Sequence, residues 1–135
     1  MSKLGFLVQE QKELIEMMYG SASEDYLLVL DSLGDFFEKE IEPTAREIDV
    51  RAEFPRENIR KLFEQGFTSM GFPKELGGLD LPWPVYIAAM EMCGKACAST
   101  ALSLAIHGTC CEGVRQFSHA DQKREFLPQM ISGKK

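Results

Sequence analysis

The residues of this sequence with the softest chemistry are four cysteines, Cys93, Cys97, Cys110 and Cys111, and two histidines, His107 and His119. Cys93 and Cys97 stand four residues apart and share a helical face. His107 precedes Cys110 and Cys111 by three and four residues, a spacing that could gather soft metal ligands. The surroundings argue against that use. None of the C-x-x-C spacings of zinc and redox sites occurs, and the flanking segments are apolar and alanine-rich, where a free thiol packs as a small hydrophobe. No metal ligand is expected, and in a reducing compartment no disulfide.

Glu91 is the one acid set among apolar neighbours, in Ala88-Ala89-Met90-Glu91-Met92. A general base needs reach and a tuned pKa. The other acids are dispersed over polar helix faces, and Glu91 itself reads as a capped or ion-paired structural residue. His107 reads as a helix-face residue and His119 as a helix start. Neither Gly-x-Gly-x-x-Gly nor Gly-Lys-Ser/Thr is present to cradle a phosphate. The expectation is no catalytic and no cofactor-binding residue in this chain.

The elements that would position these groups are helical. The chain has 135 residues, 44% of them apolar and 27% charged, which suits one globular domain and excludes disordered and fibrous classes. Val, Ile and Thr are scarce and no strand-like alternation occurs, so the fold class expected is all-α, an up-and-down bundle of about five to six helices. A formal charge of −6, with no basic run, would repel a phosphate backbone, and no nucleic-acid partner is expected. No apolar run approaches the length of a membrane span, and Gln9, Glu10 and Gln11 interrupt any secretory h-region, so a cytoplasmic location is expected.

Residues 1–24 read as an amino-terminal extension or short helix, with Leu4, Leu7, Val8, Gln11, Leu14, Ile15 and Met18 at helical spacing. From about 25 to 51 a long amphipathic helix is expected, its stripe running Leu30, Leu33, Phe37, Ile41, Ala45 and Ile48, with a kink at Pro43. Pro55 starts a further helix whose buried stripe is Ile59, Leu62 and Phe63, and Gly66 reads as its left-handed cap. Residues 67–81 read as a connecting loop with Gly71, Pro73 and the pair Gly77-Gly78. Pro82-Trp83-Pro84 opens a helix to about Ala96 that is apolar nearly all round and expected to be buried. A corner at Cys97-Ala98-Ser99 leads into a second such helix, to Phe117. The last helix is expected to start at Ser118, capped by its hydroxyl with Asp121, and to be distorted by Pro128.

At Phe72-Pro73-Lys74-Glu75-Leu76-Gly77-Gly78-Leu79 the sequence resembles the amino-terminal domain of the acyl-CoA dehydrogenases. The resemblance continues through Glu91, Ala98-Ser99-Thr100, the small-residue helix to His107, and Phe117-Ser118-His119-Ala120-Asp121-Gln122-Lys123 with Leu127-Pro128 and Gly133. Backwards it takes in Phe36, Phe37, Ile41, Pro43, Ala45, Ile48 and Asp49, then Phe54-Pro55 and Leu62 to Gly66. About residues 25–135 are covered. Departures are Lys74, Asp80, Met92 and Ser118, which affect turns and surfaces.

That resemblance implies oxidation of an acyl-CoA to its trans-2-enoyl form, with FAD taking the hydride, a glutamate taking the α-proton, and electrons passing to an electron-transferring flavoprotein. In the family the base and most of the flavin site lie in a middle β domain and a carboxy-terminal helical domain. The resemblance ends at Gly133-Lys134-Lys135, before those parts, so residues 1–135 alone are expected to be inactive and to bind no FAD. It further implies that the helix at residues 99–117 borders the acyl chain, with Ala101, Leu102, Ala105 and Thr109 as the pocket wall, and that the full-length enzyme is a homo-oligomer. An acyl-CoA oxidase-like flavoprotein and a non-catalytic helical interaction module are the alternative readings. Exposed apolar surface is expected over residues 82–117, which other parts would cover.

Overall fold

Pro43 shapes the first half of the chain. In the computed structural model, which describes residues 3–135 and side chains from Gln9 onward, the amphipathic run 24–51 is one bent rod in three pieces. Helix α1 spans Lys3–Tyr19 and ends in a 3-10 turn; α2 spans Glu24–Phe36, a π-helical turn follows at Phe37–Ile41, and α3 spans Glu42–Arg51. Proline cannot donate to the carbonyl four residues back and its ring crowds it. The wider turn relieves that conflict: the Glu42 amide donates to Phe37, five residues back, and Pro43 sits in the first turn of α3. The expected kink is thus a π turn, and the apolar stripe keeps its phase through it. Leu30, Leu33, Phe37 and Ile41 are buried, while Ala45 and Ile48 are half-buried against the same core.

Helix α4 spans Arg56–Glu64, α5 Trp83–Ala96, α6 Ala98–Phe117 and α7 Ala120–Ile131. With the bent rod counted once, the described residues form six helices and no strand, an all-α fold. The inner face of α5, with Val85, Ala88, Ala89, Met92 and Cys93, packs with α1, α2 and α6. Large side chains buried to this extent are each worth about 1.5–3 kcal/mol. A smaller cluster of Phe72, Cys111, Leu127 and Ile131 joins α6 to α7 and to the loop before α5. The expected stripe of the N-terminal helix is seen in part: Ile15 is buried and Leu14 and Met18 are half-exposed, whereas the side chains of Leu4, Leu7 and Val8 lie outside the described residues.

Four expectations are corrected in detail. The segment 67–81 is tied down rather than loose. It contains 3-10 turns at Phe67–Ser69 and Lys74–Leu76, buries Phe67, Met70 and Phe72, and closes on itself through Leu79 N–H to Ser69 O (2.9 Å), Asp80 N–H to Phe72 O (2.9 Å) and Leu81 N–H to Met70 O (2.8 Å). Helix α5 is buried on one face only, because nothing among the described residues covers Ile87, which is 59% exposed. The corner before α6 is a single extended residue, Cys97. The last helix is capped one residue later than expected: Ser118 ends α6, His119 is the cap, and its amide donates to the Gln122 carboxamide at 3.0 Å. Gln122 three residues after the cap supplies a better acceptor position than Asp121 at two.

Gly66 caps α4 in the left-handed region, as expected. Gly133 ends α7 in the same conformation, and its α-carbon lies so near the Phe63 ring that a Cβ would stand 2.6 Å from it.

Candidate functional site

Helices α5 and α6 are joined by the single extended residue Cys97 and pack against each other. Between them opens a groove of about 680 Å³. Its α5 side is Trp83, Tyr86, Ile87, Met90 and Glu91; its α6 side is Ala105, Gly108, Thr109, Glu112, Gly113, Gln116 and Phe117; Gly71 and Phe72 of the preceding loop close one end. Spacings of three and four residues put each set on one helical face. Glycine or alanine at 105, 108 and 113 keeps the α6 wall low, and the space follows from those missing side chains. The Trp83 ring lies over Gly71, its atoms 3.8 Å from where a Cβ would be, an ordinary contact distance.

The aromatic end is ordered by ring contacts. Trp83 meets Tyr86 edge-on at 5.5 Å between centroids, and Tyr86 leans on Phe67 at 6.1 Å. Burial pushes the Tyr86 hydroxyl up to about 12, with the Cys111 and Cys93 thiols adding to the rise, so it stays a neutral phenol at physiological pH. Thr109 gives its hydroxyl to the Ala105 carbonyl at 2.9 Å, which occupies its donor within the helix. The groove is therefore apolar along most of its length.

Two acids line it. Glu112 forms a two-point pair with Arg115, one arm at 2.7 Å, and accepts from Gln116 at 2.8 Å, and the Arg115 hydrogen bond holds its carboxyl below the usual range. Glu91 accepts from the Gln11 amide at 2.8 Å, linking α5 to α1. Its structural partner is thus a neutral amide rather than a cation.

Of the four residues expected to form a pocket wall, Ala105 and Thr109 line this groove. Ala101 is buried on the core side, its methyl 3.8 Å from where a Cβ of Gly94 would stand, and Leu102 is 63% exposed outside the groove. Sequence reading missed the whole α5 side. Its signal was present in the spacing of Trp83, Ile87 and Met90, which a search confined to one helix does not weigh. His107 joins α6 to α7 through Met130 O at 2.9 Å and stacks edge-on with Phe63 at 5.2 Å. It is a helix-face residue with a tie to a neighbour. Cys93, Cys97 and Cys111 are buried free thiols and Cys110 is an exposed one. Among the described residues no three His, Cys, Asp or Glu side chains gather as metal ligands, and no helix is long and apolar enough to cross a membrane.

Comparison with known proteins bears on what such a domain serves. Residues 23–134 match the family model described as acyl-CoA dehydrogenase, N-terminal domain. The chain is 33% identical to an acryloyl-CoA reductase (NADH) of Anaerotignum propionicum over 95% of its length and 32% of that protein's. It is 32% identical to the mitochondrial short-chain specific acyl-CoA dehydrogenase of Sus scrofa, over 83% of this chain and 27% of that one. A short-chain specific acyl-CoA dehydrogenase of Clostridium acetobutylicum is 33% identical over 80% of this chain and 29% of its own. In three dimensions it superposes with a TM-score of 0.76 and 32% identity on a chain solved in work on the electron transferring flavoprotein of Acidaminococcus fermentans, covering 82% of this chain and 29% of that one. The chain therefore spans about a third of the length of the curated relatives it matches. Because the match takes in every helix from α2 to α7, the chain belongs to the acyl-CoA dehydrogenase family, in the part that forms its N-terminal domain.

Proposed function

We propose that this chain serves as the N-terminal helical domain of an enzyme that oxidises an acyl-CoA to its trans-2-enoyl form, and that the α5–α6 groove is its wall for the acyl group. The observation that carries this is the groove itself: a mostly apolar trough with a low wall at Ala105, Gly108 and Gly113, on a domain of this family. Such a trough binds hydrocarbon by removing it from water, at about 0.8 kcal/mol per buried CH₂. Ala105 and Thr109 bound the space directly. Ala101 sets it through helix–helix packing, and Leu102 belongs to the neighbouring exposed face.

When bound, FAD supplies the hydride acceptor in this family. The residues described here do not suit it, because the ionised groups lining the groove are acids, the wrong sign for a diphosphate. In this reading the flavin and the general base are carried by other parts of the enzyme, residues 1–135 perform no proton or hydride transfer, and electrons leave to an electron-transferring flavoprotein. The exposed apolar residues Ile87, Leu102, Ile106 and Phe117 support the same view, since they form a face suited to cover by those parts or by a second subunit. The similarity to an acryloyl-CoA reductase supports a second reading in which the same carbon–carbon bond is reduced.

The test is to express in full the reading frame that encodes residues 1–135 and to assay acyl-CoA substrates of graded length with an artificial electron acceptor. Oxidation is expected, and Ala105→Phe should move the preference toward shorter acyl groups. No oxidation of any acyl-CoA would remove the activity, whereas an unchanged length profile in Ala105→Phe would remove the wall.

A further inference from the structure

We propose that Glu91 makes the groove select its occupant by the sign of charge, admitting uncharged or ammonium-ended acyl chains and rejecting carboxylate-ended ones. This rests on the reading of the groove as an acyl wall and adds a substrate class to it.

Three observations carry it. Both ionisable carboxyls on the lining, Glu91 and Glu112, are acids, and no Lys or Arg side chain lines the space. Glu112 is compensated on its own helix by Arg115, with a net charge near zero for that pair. Glu91 has as its side-chain partner among the described residues only Gln11, which orients the carboxylate without neutralising it. The remaining lining is apolar, aromatic or small, so it offers little to screen a charge brought in by a ligand. A terminal carboxylate in the groove thus meets one uncompensated negative charge, and a terminal ammonium meets the same charge with opposite sign.

Exposure limits the size of the effect. Glu91 sits on the rim in contact with solvent, where single ion pairs are weak and salt-sensitive. Reversing the sign of the ligand's end group should change affinity by about fivefold at low ionic strength, an attraction of that class on one side and a repulsion on the other.

Trp83 is the only tryptophan of the chain and lines the groove, so its emission reports occupancy without a label. The probes are N-acetylcysteamine thioesters of hexanoic acid, of 6-aminohexanoic acid and of adipic acid, which differ only at the far end and lack the charges of coenzyme A. Titrated into the chain at low salt, the ammonium-ended thioester should bind about fivefold more tightly than the carboxylate-ended one. Glu91→Gln should bring the two within twofold, and so should 0.5 M NaCl on the unsubstituted chain, a check that needs no variant to fold. Hexanoyl binding with equal affinity for the two charged probes, or a gap that survives both Glu91→Gln and salt, would overturn the charge selection alone. Failure of the hexanoyl thioester itself to alter Trp83 emission would overturn the acyl reading of the groove and this selection with it.

Discussion

A Cβ placed on Gly78 would lie 1.8 Å from the carbonyl oxygen of Phe72. The loop before α5 closes by folding its second glycine onto the backbone of Phe72, whose carbonyl then takes the Asp80 amide at 2.9 Å. Neighbouring Gly77 is different. It has φ +86° and open space around its α-carbon.

The two glycines should therefore respond differently to alanine. Gly77→Ala pays only the left-handed backbone penalty, about 1–2 kcal/mol. Gly78→Ala must move backbone, and should cost more than about 3 kcal/mol or abolish folding. Urea unfolding of both variants checks this; equal midpoints would show that the loop is not closed as described.

Asn58 is 2% exposed and joins three elements. Its amide donates to Thr44 Oγ1 at 2.8 Å on α3 and to Thr100 Oγ1 at 3.1 Å on α6, while Thr100 lies 3.1 Å from Cys97 Sγ. Thr100→Val strands one buried N–H and should cost about 1–3 kcal/mol. Asn58→Ala leaves a cavity as well and should cost more, with the pair non-additive in a double-mutant cycle. Additive losses would mean the side chains act separately.

How much of this was legible in the sequence depends on the kind of force involved. Burial follows periodicity, so Leu30, Leu33, Phe37 and Ile41 were readable as one stripe, and Gly66 as a cap follows from backbone freedom. Asn58 was not readable, because a polar residue inside an apolar stripe declares its partners only when Thr44 and Thr100 are folded against it. The π turn was half legible: Pro43 required a distortion, but the choice between break, kink and wide turn depends on Phe37 and Ile41 both reaching the core. In the groove, Ala105 and Thr109 are named through the family resemblance, together with Ala101 and Leu102, which lie outside it. Trp83, Tyr86 and Met90 were not legible, since a groove between two helices is a property of the pair.

Burial pushes the Cys93 thiol up to about 12, with the nearby Cys97 adding to the rise, and the Cys111 thiol up to about 11. In the unfolded chain both ionise near 9. Between those values the unfolded state has lost protons that the folded state keeps, so stability is intact below pH 9 and falls as pH rises toward 11–12. Cys93→Ala should flatten that fall in unfolding experiments between about pH 8 and pH 10, about one unit either side of the unfolded thiol. A pH profile unaffected by the substitution would show that Cys93 is not the group being held protonated.

Iodoacetamide at pH 8 should alkylate Cys110 alone in the folded chain, because it is the exposed thiol. The other three should react only after denaturation. Prompt modification of two or more sites in peptide mapping would contradict the burial of Cys93, Cys97 and Cys111.

Gly108 and Gly113 sit on the same helix and line the same groove, yet alanine should stabilise the chain at Gly113 only. Nothing lies within 4 Å of a Cβ on Gly113, so alanine there gains helix propensity at no packing cost, about 0.5–1 kcal/mol, or roughly 3 °C in Tm for a domain of this size. A Cβ on Gly108 would stand 3.1 Å from the Tyr86 hydroxyl oxygen. Tyr86 is held between Trp83 and Phe67 and has little freedom to yield, so Gly108→Ala should show none of that gain. If the hydroxyl is the obstacle, removing it should restore the benefit: Gly108→Ala should be stabilising in a Tyr86→Phe background although it is not in the parent. Thermal unfolding of the four chains of that cycle decides it. The same Tm change for Gly108→Ala in both backgrounds would mean that the Tyr86 hydroxyl does not set the height of the α6 wall.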